Sequence, residues 1–420
     1  MKILLLGSGG REHTLAWKIK QSPLCSALYI APGNAGTAEN IPLNIMDNGA
    51  IHDFVVERGV NMVIVGPEAP LVNGVWNYLR KMRSTSHVAV IGPSMQGARL
   101  EGSKSYAKKF MAQYGIPTAA YREFFASRPQ PAINYIRKKA TEPVVLKADG
   151  LAAGKGVVIC PTREEAEAEM SAMLGGRFGQ AGRKVVVEQF LSGIEFSVFV
   201  LTDGRSYKIL PVAKDYKRVG EGDSGPNTGG MGAVSPPPFV DAALMKKVEE
   251  RIVQPTIRGL QDRGIHYQGF LFLGLIKVGK EPYVIEYNCR LGDPETQVVL
   301  PRLKNDLVEL FAAVSEGRLD EMKIEEEKQA AATVVLTSGG YPGQYEKGKV
   351  ITGLQKAKGS LVFHAGTREA NGQILTNGGR VLAITSLGHS LSEALKTSYK
   401  NAALIEFEGK YFRKDIGFDL

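Results

Sequence analysis

The first hundred residues repeat one local pattern, a short apolar run followed by a loop rich in glycine or proline. The apolar runs are 2–6, 27–30, 62–65 and 88–91, and the loops after them contain GSGG, APGNAG, GPEAPL and GPSMQG. Short buried strands that alternate with helices predict a parallel, doubly wound sheet. Ligands bind such sheets at the carboxyl ends of the strands, where all four loops lie. We therefore predict an N-terminal α/β domain over residues 1–100.

From about residue 101 the pattern changes to longer strands, interspersed helices and two glycine-dense loops. Strands are predicted at 144–147, 157–160, 185–188, 196–200, 207–210, 269–278 and 282–287, with a long polar loop at 214–232. Further strand-like runs at 331–336, 361–365 and 380–384 predict a small C-terminal α/β domain over 326–420. A chain of 420 residues exceeds what one hydrophobic core supports, so several domains are expected.

Composition favours an enzyme that handles small anions. The formal net charge is +9, but the basic residues are dispersed, which disfavours nucleic acid as a partner. The three cysteines are far apart, odd in number and without metal-ligand spacing, so we expect neither disulfides nor a zinc site. No apolar run resembles a signal peptide or a membrane span. A cytoplasmic location without membrane contact is predicted.

The first loop, GSGG, is a poor dinucleotide motif. Glu12 stands where the third glycine of G-x-G-x-x-G would fall, and the acid expected after the second strand is absent. A glycine turn that opens a helix can still bind a phosphate through its free N–H groups. A tight turn without a ligand is equally compatible with this loop alone.

The loop KADGLAAGKG at 147–156 favours nucleotide binding more strongly. It combines Gly150, Gly154 and Gly156 with Lys147 and Lys155, so amides and ammonium groups can fold over phosphates. It is not a P-loop, because three residues separate the first two glycines and a strand follows. The alternative is a hairpin tip with incidental lysines, but a plain hairpin needs fewer glycines. We predict a lid over ATP.

A second polar cluster follows the strand at 283–288. Side chains alternate along a strand, so Glu286, Asn288 and Arg290 are predicted to share one face. Carboxylate and amide oxygens suit Mg²⁺, and an adjacent arginine can clamp a carboxylate or a phosphoryl group. The turn LGDPETQ adds Asp293 and Glu295 directly afterwards. A solvated polar strand face is the alternative interpretation.

The order of the motifs GSGGREH, APGNAGT, VGPEAPL, EGSK, KADGLAAGKGV, GPNTGGMGA, EYNCRLGDPETQ and TNGGRV resembles the glycinamide ribonucleotide synthetase family. The resemblance spans residues 7–417. It implies an ATP-grasp fold, with an N-terminal domain at 1–100, an ATP-grasp region at 101–325, a lid subdomain at about 118–190 and a C-terminal domain at 326–420. The implied activity joins glycine to 5-phosphoribosylamine in purine biosynthesis, with ATP converted to ADP and phosphate through glycyl phosphate.

The resemblance also implies roles for individual residues. Lys104, Lys147, Gly154 and Lys155 would contact ATP phosphates, and Glu188, Phe190, Leu191 and Glu195 would form the adenosine site. Glu286 and Asn288 would bind Mg²⁺ or Mn²⁺. Arg290, Lys147 and Asp293 would act in catalysis, with Arg290 facing the glycine carboxylate or acyl phosphate. The phosphoribosylamine pocket would use Gly10, Arg11, Glu68, Asp215, Asn227, Gly229, Gly230 and Met231, together with Arg290 and Asp293.

Three features differ from the family pattern, and the first, Leu291 where phenylalanine is common, exchanges one apolar residue for another. Lys214 stands where glutamine is common, which would change the charge beside Asp215. The strand at 269–276 carries no acid, so metal binding would depend on Glu286, Asn288 and phosphate oxygens, with one or two ions. The six histidines are dispersed, and a structural role is predicted for each.

Three rival functions remain open at this point: another ATP-grasp ligase such as a formate-using purine enzyme or a biotin carboxylase, a nucleotide-binding regulator without turnover, and a nucleic-acid-binding protein. GPNTGGMGA and GDPETQ disfavour the first, and the joint presence of Lys147, Glu286, Asn288 and Arg290 disfavours the second. The third would require strongly salt-dependent binding to polynucleotide. A monomer or weak dimer is expected.

Overall fold

The computed structural model describes residues 1–152 and 156–420. Its N-terminal part contains a parallel sheet with the strand order β2-β1-β3-β4. The elements are β1 (Lys2–Gly7), α1 (Gly10–Ile19), β2 (Ala27–Pro32), α2 (Asn48–Arg58), β3 (Met62–Val65), α3 (Glu68–Val72), α4 (Val75–Lys81), β4 (Ala89–Ile91) and α5 (Met95–Gly102). The predicted parallel sheet is therefore confirmed.

Both faces of this sheet are buried, as a doubly wound arrangement requires. Successive side chains of β1 point to opposite faces. Leu4 and Leu6 enter one hydrophobic core, whereas Ile3 and Leu5 enter another. Because helices cover both faces, the loops at the carboxyl edge are left to meet the rest of the molecule.

The next part of the chain forms a separate antiparallel sheet of order β5-β8-β6-β7. This sheet and its helices enclose a core of their own, which extends from Ala132 to Val187. The elements are α6 (Lys104–Gln113), β5 (Tyr121–Phe125), α7 (Gln130–Lys139), β6 (Val144–Ala148), β7 (Val157–Cys160), α8 (Arg163–Ala172) and β8 (Lys184–Gln189).

The central sheet carries the polar strand predicted near residue 286. Its order is β10-β9-β15-β16, and all three pairings are antiparallel. The elements of this part are β9 (Ile194–Thr202), β10 (Tyr207–Ile209), β11 (Lys214–Asp215), β12 (Arg218–Gly220), β13 (Ser224–Asn227), β14 (Gly232–Ser235), α9 (Ala242–Val248), α10 (Gln254–Asp262), β15 (Gly269–Val278), β16 (Glu281–Asn288), α11 (Thr296–Arg302) and α12 (Leu307–Glu316).

The segment 214–232 is not one polar loop, contrary to the sequence prediction. It contains β11, the β12–β13 hairpin and the beginning of β14. Two strands of this segment, β11 and β14, pair at one end of a five-stranded sheet of order β11-β14-β17-β21-β18. The remaining elements are β17 (Ala330–Thr337), β18 (Leu361–His364), β19 (Thr367–Ala370), β20 (Gln373–Thr376), β21 (Arg380–Gly388) and α13 (Leu391–Leu404).

The C-terminal sheet therefore takes strands from both sides of residue 325. The predicted strands at 331–336, 361–365 and 380–384 correspond to β17, β18 and β21, whereas the β19–β20 hairpin was not predicted. Within residues 1–152 and 156–420, no helix combines the length and the apolar character needed to cross a membrane.

Candidate active site

A row of residues aligned across the central sheet forms the floor of the site. Glu286 on β16 pairs with Gly274 on β15, which pairs with Ser197 on β9. Aligned residues on neighbouring strands project from the same face. Gly274 adds no side chain, and a Cβ there would lie 3.0 Å from Glu286 Cγ. The side chain of Glu286 therefore lies over Gly274, where a larger residue would crowd it.

Cations surround the Glu286 carboxylate without binding it. Burial opposes ionisation, but Lys217, Lys147, Lys104 and Arg290 together hold the pKa of Glu286 below its ordinary value. Among the described residues, no donor lies within hydrogen-bond or ion-pair distance of this carboxylate. An ionised oxygen ligand is thus available inside a ring of positive charge.

Asn288 completes the donor set at the end of β16. It is buried, its Oδ1 accepts from Arg290 Nη2 at 3.2 Å, and its Nδ2 has no partner among the described residues. No cluster of three Asp, Glu, His or Cys side chains that could hold a metal occurs in the described part of the chain. Two oxygen donors that leave further positions to phosphate and water fit a magnesium-type ion.

Glu286, Asn288 and Arg290 were predicted to share one face of a strand, but only the first two belong to the strand. The register shift of β16 lies before Glu286, between Val284 and Glu286, and the pairing is regular from Glu286 to Asn288, where β16 ends. Arg290 therefore lies beyond the strand, yet its guanidinium still reaches Asn288.

Two lysines predicted to contact phosphates lie on elements next to this floor. Lys147 on β6 is buried, and its Nζ lies 3.0 Å from Glu188 Oε2 and 3.1 Å from the Ile285 carbonyl. Lys104, the first residue of α6, donates to the Gly150 carbonyl at 3.2 Å. Both ammonium groups also lie close enough to Glu286 to lower the pKa of its carboxyl. Gly154 and Lys155 lie outside the described residues.

The connector after β8 was predicted to hold adenosine. Glu188 is buried, and its Oε2 forms ion pairs with Lys147 and Lys108, each at 3.0 Å. Its Oε1 is buried without a partner among the described residues. Burial lowers the pKa of Lys108 to about 8 despite this contact with Glu188.

The other three predicted adenosine residues are more accessible. Phe190 and Leu191 are half-buried, and Glu195 is exposed. The Lys217 ammonium, 2.8 Å from Glu195, lowers the pKa of that carboxyl. Glu188 itself belongs to β8 of the lid sheet, whereas Glu195 lies on β9 of the central sheet.

Arg290 is held by two carboxylates from the N-terminal third of the chain. Its Nη2 lies 2.7 Å from Glu101 Oε1, and its Nε lies 3.3 Å from Glu68 Oε2. Glu101 also accepts from the Cys289 N–H at 2.8 Å. Burial opposes ionisation of Glu68, but Arg290 and Arg11 lower the pKa of its carboxyl. Glu101 was missed by sequence reasoning, although it begins the EGSK motif.

The turn at 291–297 contacts the first glycine loop. Asp293 Oδ1 accepts from Gln297 Nε2 at 2.8 Å, and its Oδ2 accepts from the Arg11 N–H at 3.4 Å. Burial opposes ionisation, but Arg380 and Arg11 lower the pKa of Asp293. Arg380, on β21 of the C-terminal sheet, was also missed; its only sequence signal is the TNGGRV motif.

A cleft of about 290 Å³ opens where these parts meet. Two of its lining residues, Asp293 and Gly9, lie in regions predicted to bind substrate. The full lining is Ser8, Gly9, Gly33, Asn34, Asp293, Tyr341, Ala365, Gly366, Thr367, Asn377 and Arg380. N–H groups, hydroxyls, amides and a guanidinium therefore converge in one opening.

The predicted GPNTGGMGA residues lie at different depths around this cleft. Gly229 donates its N–H to Tyr341 Oη at 2.9 Å and accepts from Arg380 at 2.6 Å. Gly230 has a φ of 118°, which favours glycine. Asn227, on β13, is half-buried.

Three predicted pocket residues do not offer their side chains to the cleft. Met231 is fully buried in a core, and its N–H and carbonyl bind Tyr216 and Val335. Gly10 packs against Gln297, and the Arg11 guanidinium donates to the Leu291 carbonyl at 3.1 Å. The resemblance implied these three residues for the pocket, and in the structure they contact other parts of the protein.

Two further carboxylates are buried behind the floor. Burial raises the pKa of Asp215, and burial together with Asp215 raises the pKa of Glu295 to about 8. Glu295 belongs to the predicted rigid turn, but only Asp215 was predicted as a site residue.

Comparison with known proteins identifies the family. Three family models of phosphoribosylglycinamide synthetase match this chain: the N domain at residues 1–101, the ATP-grasp domain at 102–296 and the C domain at 331–419. Phosphoribosylamine–glycine ligase of Vibrio cholerae is 47% identical, and that of Escherichia coli strain K12 is 48% identical. Each match covers 100% of this chain and 98% of the relative.

Solved structures agree with this assignment. The crystal structure of phosphoribosylamine–glycine ligase from Thermotoga maritima superposes with a TM-score of 0.84 at 37% identity, covering 99% of this chain and 100% of that one. The biotin carboxylase domain of Hydrogenobacter thermophilus 2-oxoglutarate carboxylase has a TM-score of 0.73 at 17% identity, covering 98% and 91%. The second likeness concerns the fold alone. By its three matching domains and its full-length relatives, the chain belongs to the phosphoribosylglycinamide synthetase family, the phosphoribosylamine–glycine ligases of purine biosynthesis with an ATP-grasp domain.

Proposed function

We propose that this ligase works in two steps over the central sheet. A carboxylate oxygen of glycine attacks the γ-phosphorus of ATP, ADP leaves, and glycyl phosphate forms. The amine of 5-phosphoribosylamine then attacks the acyl carbon, phosphate leaves, and the amine loses a proton to give glycinamide ribonucleotide. The observation that carries this proposal is the Glu286 carboxylate, which lies among Lys217, Lys147, Lys104 and Arg290 but is bound by no donor of the described residues.

ATP is proposed to lie between the lid sheet and the central sheet. Lys104 and Lys147 would offset phosphate charge, and Gly154 and Lys155 would close over the phosphates. The adenosine site would use Glu188, Phe190, Leu191 and Glu195. Because phosphoryl transfer depends mainly on positioning and charge stabilisation, these groups account for most of what the first step needs.

A divalent cation, Mg²⁺ or Mn²⁺, is proposed to bind Glu286 and Asn288. When bound, it would neutralise charge on the ATP phosphates. The free, ionised carboxylate of Glu286 supports this role. The lysines and Arg290 keep that carboxylate ionised before any ligand arrives.

Arg290 and Asp293 are proposed to act at the acyl group. The Arg290 guanidinium is held rigidly by Glu68 and Glu101, so it can bind the glycine carboxylate and then the acyl phosphate without reorganising. Asp293, between Arg11 and Arg380, lies where the amine of the second substrate would approach.

The phosphoribosyl group is proposed to occupy the cleft between the N-terminal and C-terminal sheets. Donors suited to phosphate and ribose oxygens line it, including the Gly9 turn at the start of α1, Asn377 and Arg380. Gly229 and Gly230 would border the cleft, and Glu68 and Asn227 would lie at its margin. We propose small-molecule partners only, with a monomer or weak dimer.

A cytoplasmic location is also proposed. Cys25, Cys160 and Cys289 are all unpaired, and the last two are buried. Free thiols suit a reducing compartment.

The two-step proposal is tested by measuring ADP release from Mg-ATP with glycine, with fresh 5-phosphoribosylamine, and with both. Release that requires both, with glycinamide ribonucleotide formed in equal amount, is expected. Glu286→Gln should lower this rate strongly, whereas Glu250→Gln, an exposed acid on the helical turn after α9, should not. ADP release that does not depend on glycine would contradict the proposal.

A further inference from the structure

The last residue of β18, His364, has both of its backbone polar groups bound by side chains of the N-terminal part. Its N–H donates to His13 Nδ1 at 2.7 Å, and its carbonyl accepts from Asn34 Nδ2 at 2.9 Å. Within the described residues β18 is an edge strand, so its outer N–H and C=O groups have no neighbouring strand. His13, on α1, and Asn34 thus supply the partners that a further strand would provide.

This contact fixes the state of the His13 ring. A backbone N–H can only donate, so Nδ1 must carry a lone pair, and the ring proton lies on Nε2. Burial, with His364 and Lys20 nearby, lowers the pKa of His13 to about 3, and burial lowers the pKa of His364 to about 4. Both rings are therefore neutral near pH 7, where His13 remains an acceptor.

The surroundings of the His13 ring leave it little freedom. The ring of Phe363 packs against it edge to face, with centroids 5.7 Å apart. On another side the backbone of Gly36 approaches both imidazoles. A Cβ at Gly36 would lie 2.5 Å from His13 Nδ1 and 2.7 Å from His364 Cδ2. The close packing therefore holds the acceptor atom of His13 in place.

His364 leads directly into the cleft between the N-terminal and C-terminal sheets. The three residues after it, 365–367, all line that cleft. Gly366 donates its N–H to the Arg380 carbonyl at 2.8 Å, and Thr367 Oγ1 lies 3.1 Å from His364 Nδ1. A displacement of His364 would therefore move one wall of the cleft and disturb the backbone of Arg380.

We propose that His13 is a positioning residue for the second substrate. By accepting the His364 N–H, its imidazole holds residues 365–367 in the wall of the cleft before the phosphoribosyl group arrives. Asn34 assists, because its amide also donates to the carbonyl of Ser8, another cleft residue, at 2.9 Å. This inference rests on the proposed function, since it takes the cleft as the place of the phosphoribosyl group.

The inference is tested with two substitutions of His13. His13→Phe keeps an aromatic ring and removes the acceptor, whereas His13→Asn keeps an acceptor oxygen on Cγ, where Nδ1 is attached in histidine. His13→Phe should raise the KM for 5-phosphoribosylamine about tenfold, because the His364 N–H loses its partner. His13→Asn should restore most of this loss. The KM values for Mg-ATP and glycine should change less than about twofold in both variants.

A matched control and a spectroscopic measurement accompany the kinetics. His87→Phe, at an exposed histidine of the N-terminal part, should leave all three constants unchanged, and a thermal melt verifies folding of every variant. Nitrogen-15 NMR of protein labelled at histidine should show His13 with Nδ1 unprotonated and Nε2 protonated at pH 7.5. The His13 signals are identified by their absence from His13→Phe. A protonated Nδ1 would overturn the inference.

The kinetic outcomes separate this inference from the proposed function. An equal rise in the KM for 5-phosphoribosylamine in His13→Phe and His13→Asn would overturn the inference, because the acceptor would not matter. Unchanged constants in His13→Phe, or a similar rise for all three substrates, would overturn it as well. ADP release by the wild type without glycine would instead overturn the proposed function, and it would leave the protonation state of His13 unaffected.

Discussion

Arg290 is joined to two acids, of which Glu101 precedes it by 189 residues and Glu68 lies still earlier in the chain. Its contacts with Glu101 and Glu68 fix the guanidinium before substrate binds. Such preorganisation is effective in catalysis because no reorganisation is needed during the reaction. The same contacts also stabilise the fold. Glu101 is only 8% exposed, and burial raises its pKa, so its charge depends on the ion pair with Arg290.

We predict that Arg290→Ala lowers turnover by about 10²–10³-fold, the usual effect of losing one stabilising donor. It should also destabilise the fold by about 3–5 kcal/mol, because Glu101 loses its partner. ADP release and thermal unfolding measure the two effects. Adding Glu101→Gln should restore part of the stability but no activity, and equal loss of ATP affinity in the single variant would assign Arg290 to nucleotide binding.

The pKa of Glu295 gives a pH prediction. Its folded value of about 8 exceeds the ordinary 4.5, because of burial and Asp215, opposed by Lys217 and Arg290. Between these values the folded state binds more protons than the unfolded state, so wild-type stability should fall as pH rises. Glu295→Gln lacks this proton. The variant should therefore gain stability relative to the wild type between pH 5 and pH 8.5.

Unfolding midpoints at both pH values measure this effect. A relative gain of several degrees is expected, since ~1 kcal/mol corresponds to ~2–4 °C for domains of about 150–250 residues. A difference between variant and wild type that is the same at both pH values would contradict the raised pKa.

At the scale of elements, β15 determines how much room the ligands have. Gly274 is its midpoint, and a methyl group there would crowd Glu286 Cγ at 3.0 Å. We predict that Gly274→Ala raises the KM for Mg-ATP by about tenfold, equivalent to ~1.4 kcal/mol. Steady-state kinetics at varied Mg-ATP measure this. Gly175→Ala is the control, since a Cβ there meets nothing within 4 Å, and a similar loss in both variants would argue against crowding.

Elements with strong local signals were predictable from the sequence. The strands β1 to β4 are apolar runs that end in glycine or proline loops, and the parallel sheet follows from their repetition. The strands within 214–232 were not predictable, because β11 has only two residues and β12 and β13 are polar and contain glycine. In addition, the sheet that β11 and β14 join depends on the pairing of β14 with β17, about a hundred residues later, which local patterns do not encode.

The same distinction applies to the site. Glu286, Asn288 and Lys147 were predictable because they lie within local motifs next to strands. Glu101 and Arg380 were not, since their importance comes from contacts across 189 and 87 residues. Burial of Met231 was likewise invisible, because its motif gives no sign of which residues face the core.

At the scale of the whole molecule, the C-terminal sheet helps build the substrate cleft. Arg380 binds the Gly229 carbonyl and lies 3.5 Å from Asp293 Oδ2, and Asn34 donates to the carbonyls of Ser8 and His364. These contacts hold three parts of the chain around one opening. The cleft therefore depends on their relative placement as much as on its lining.

We predict that Arg380→Ala raises the KM for 5-phosphoribosylamine about 10-fold or more and leaves the KM for Mg-ATP nearly unchanged, because the lost charge-assisted contacts lie at the cleft. Varying each substrate separately measures this. Arg83→Ala, an exposed arginine of the N-terminal part, should leave both constants unchanged. An equal rise in both constants for Arg380→Ala would indicate a general loss of structure.

The dependence of the cleft on both Ser8 and Arg380 has a consequence for biosynthesis of the enzyme. While the ribosome is still making the polypeptide, the residues proposed to bind ATP leave the exit tunnel before β21 does, because they precede it in the chain. Such a nascent chain would have a place for ATP but an incomplete receptor for the phosphoribosyl substrate. Ligase activity should therefore begin only when synthesis is nearly finished.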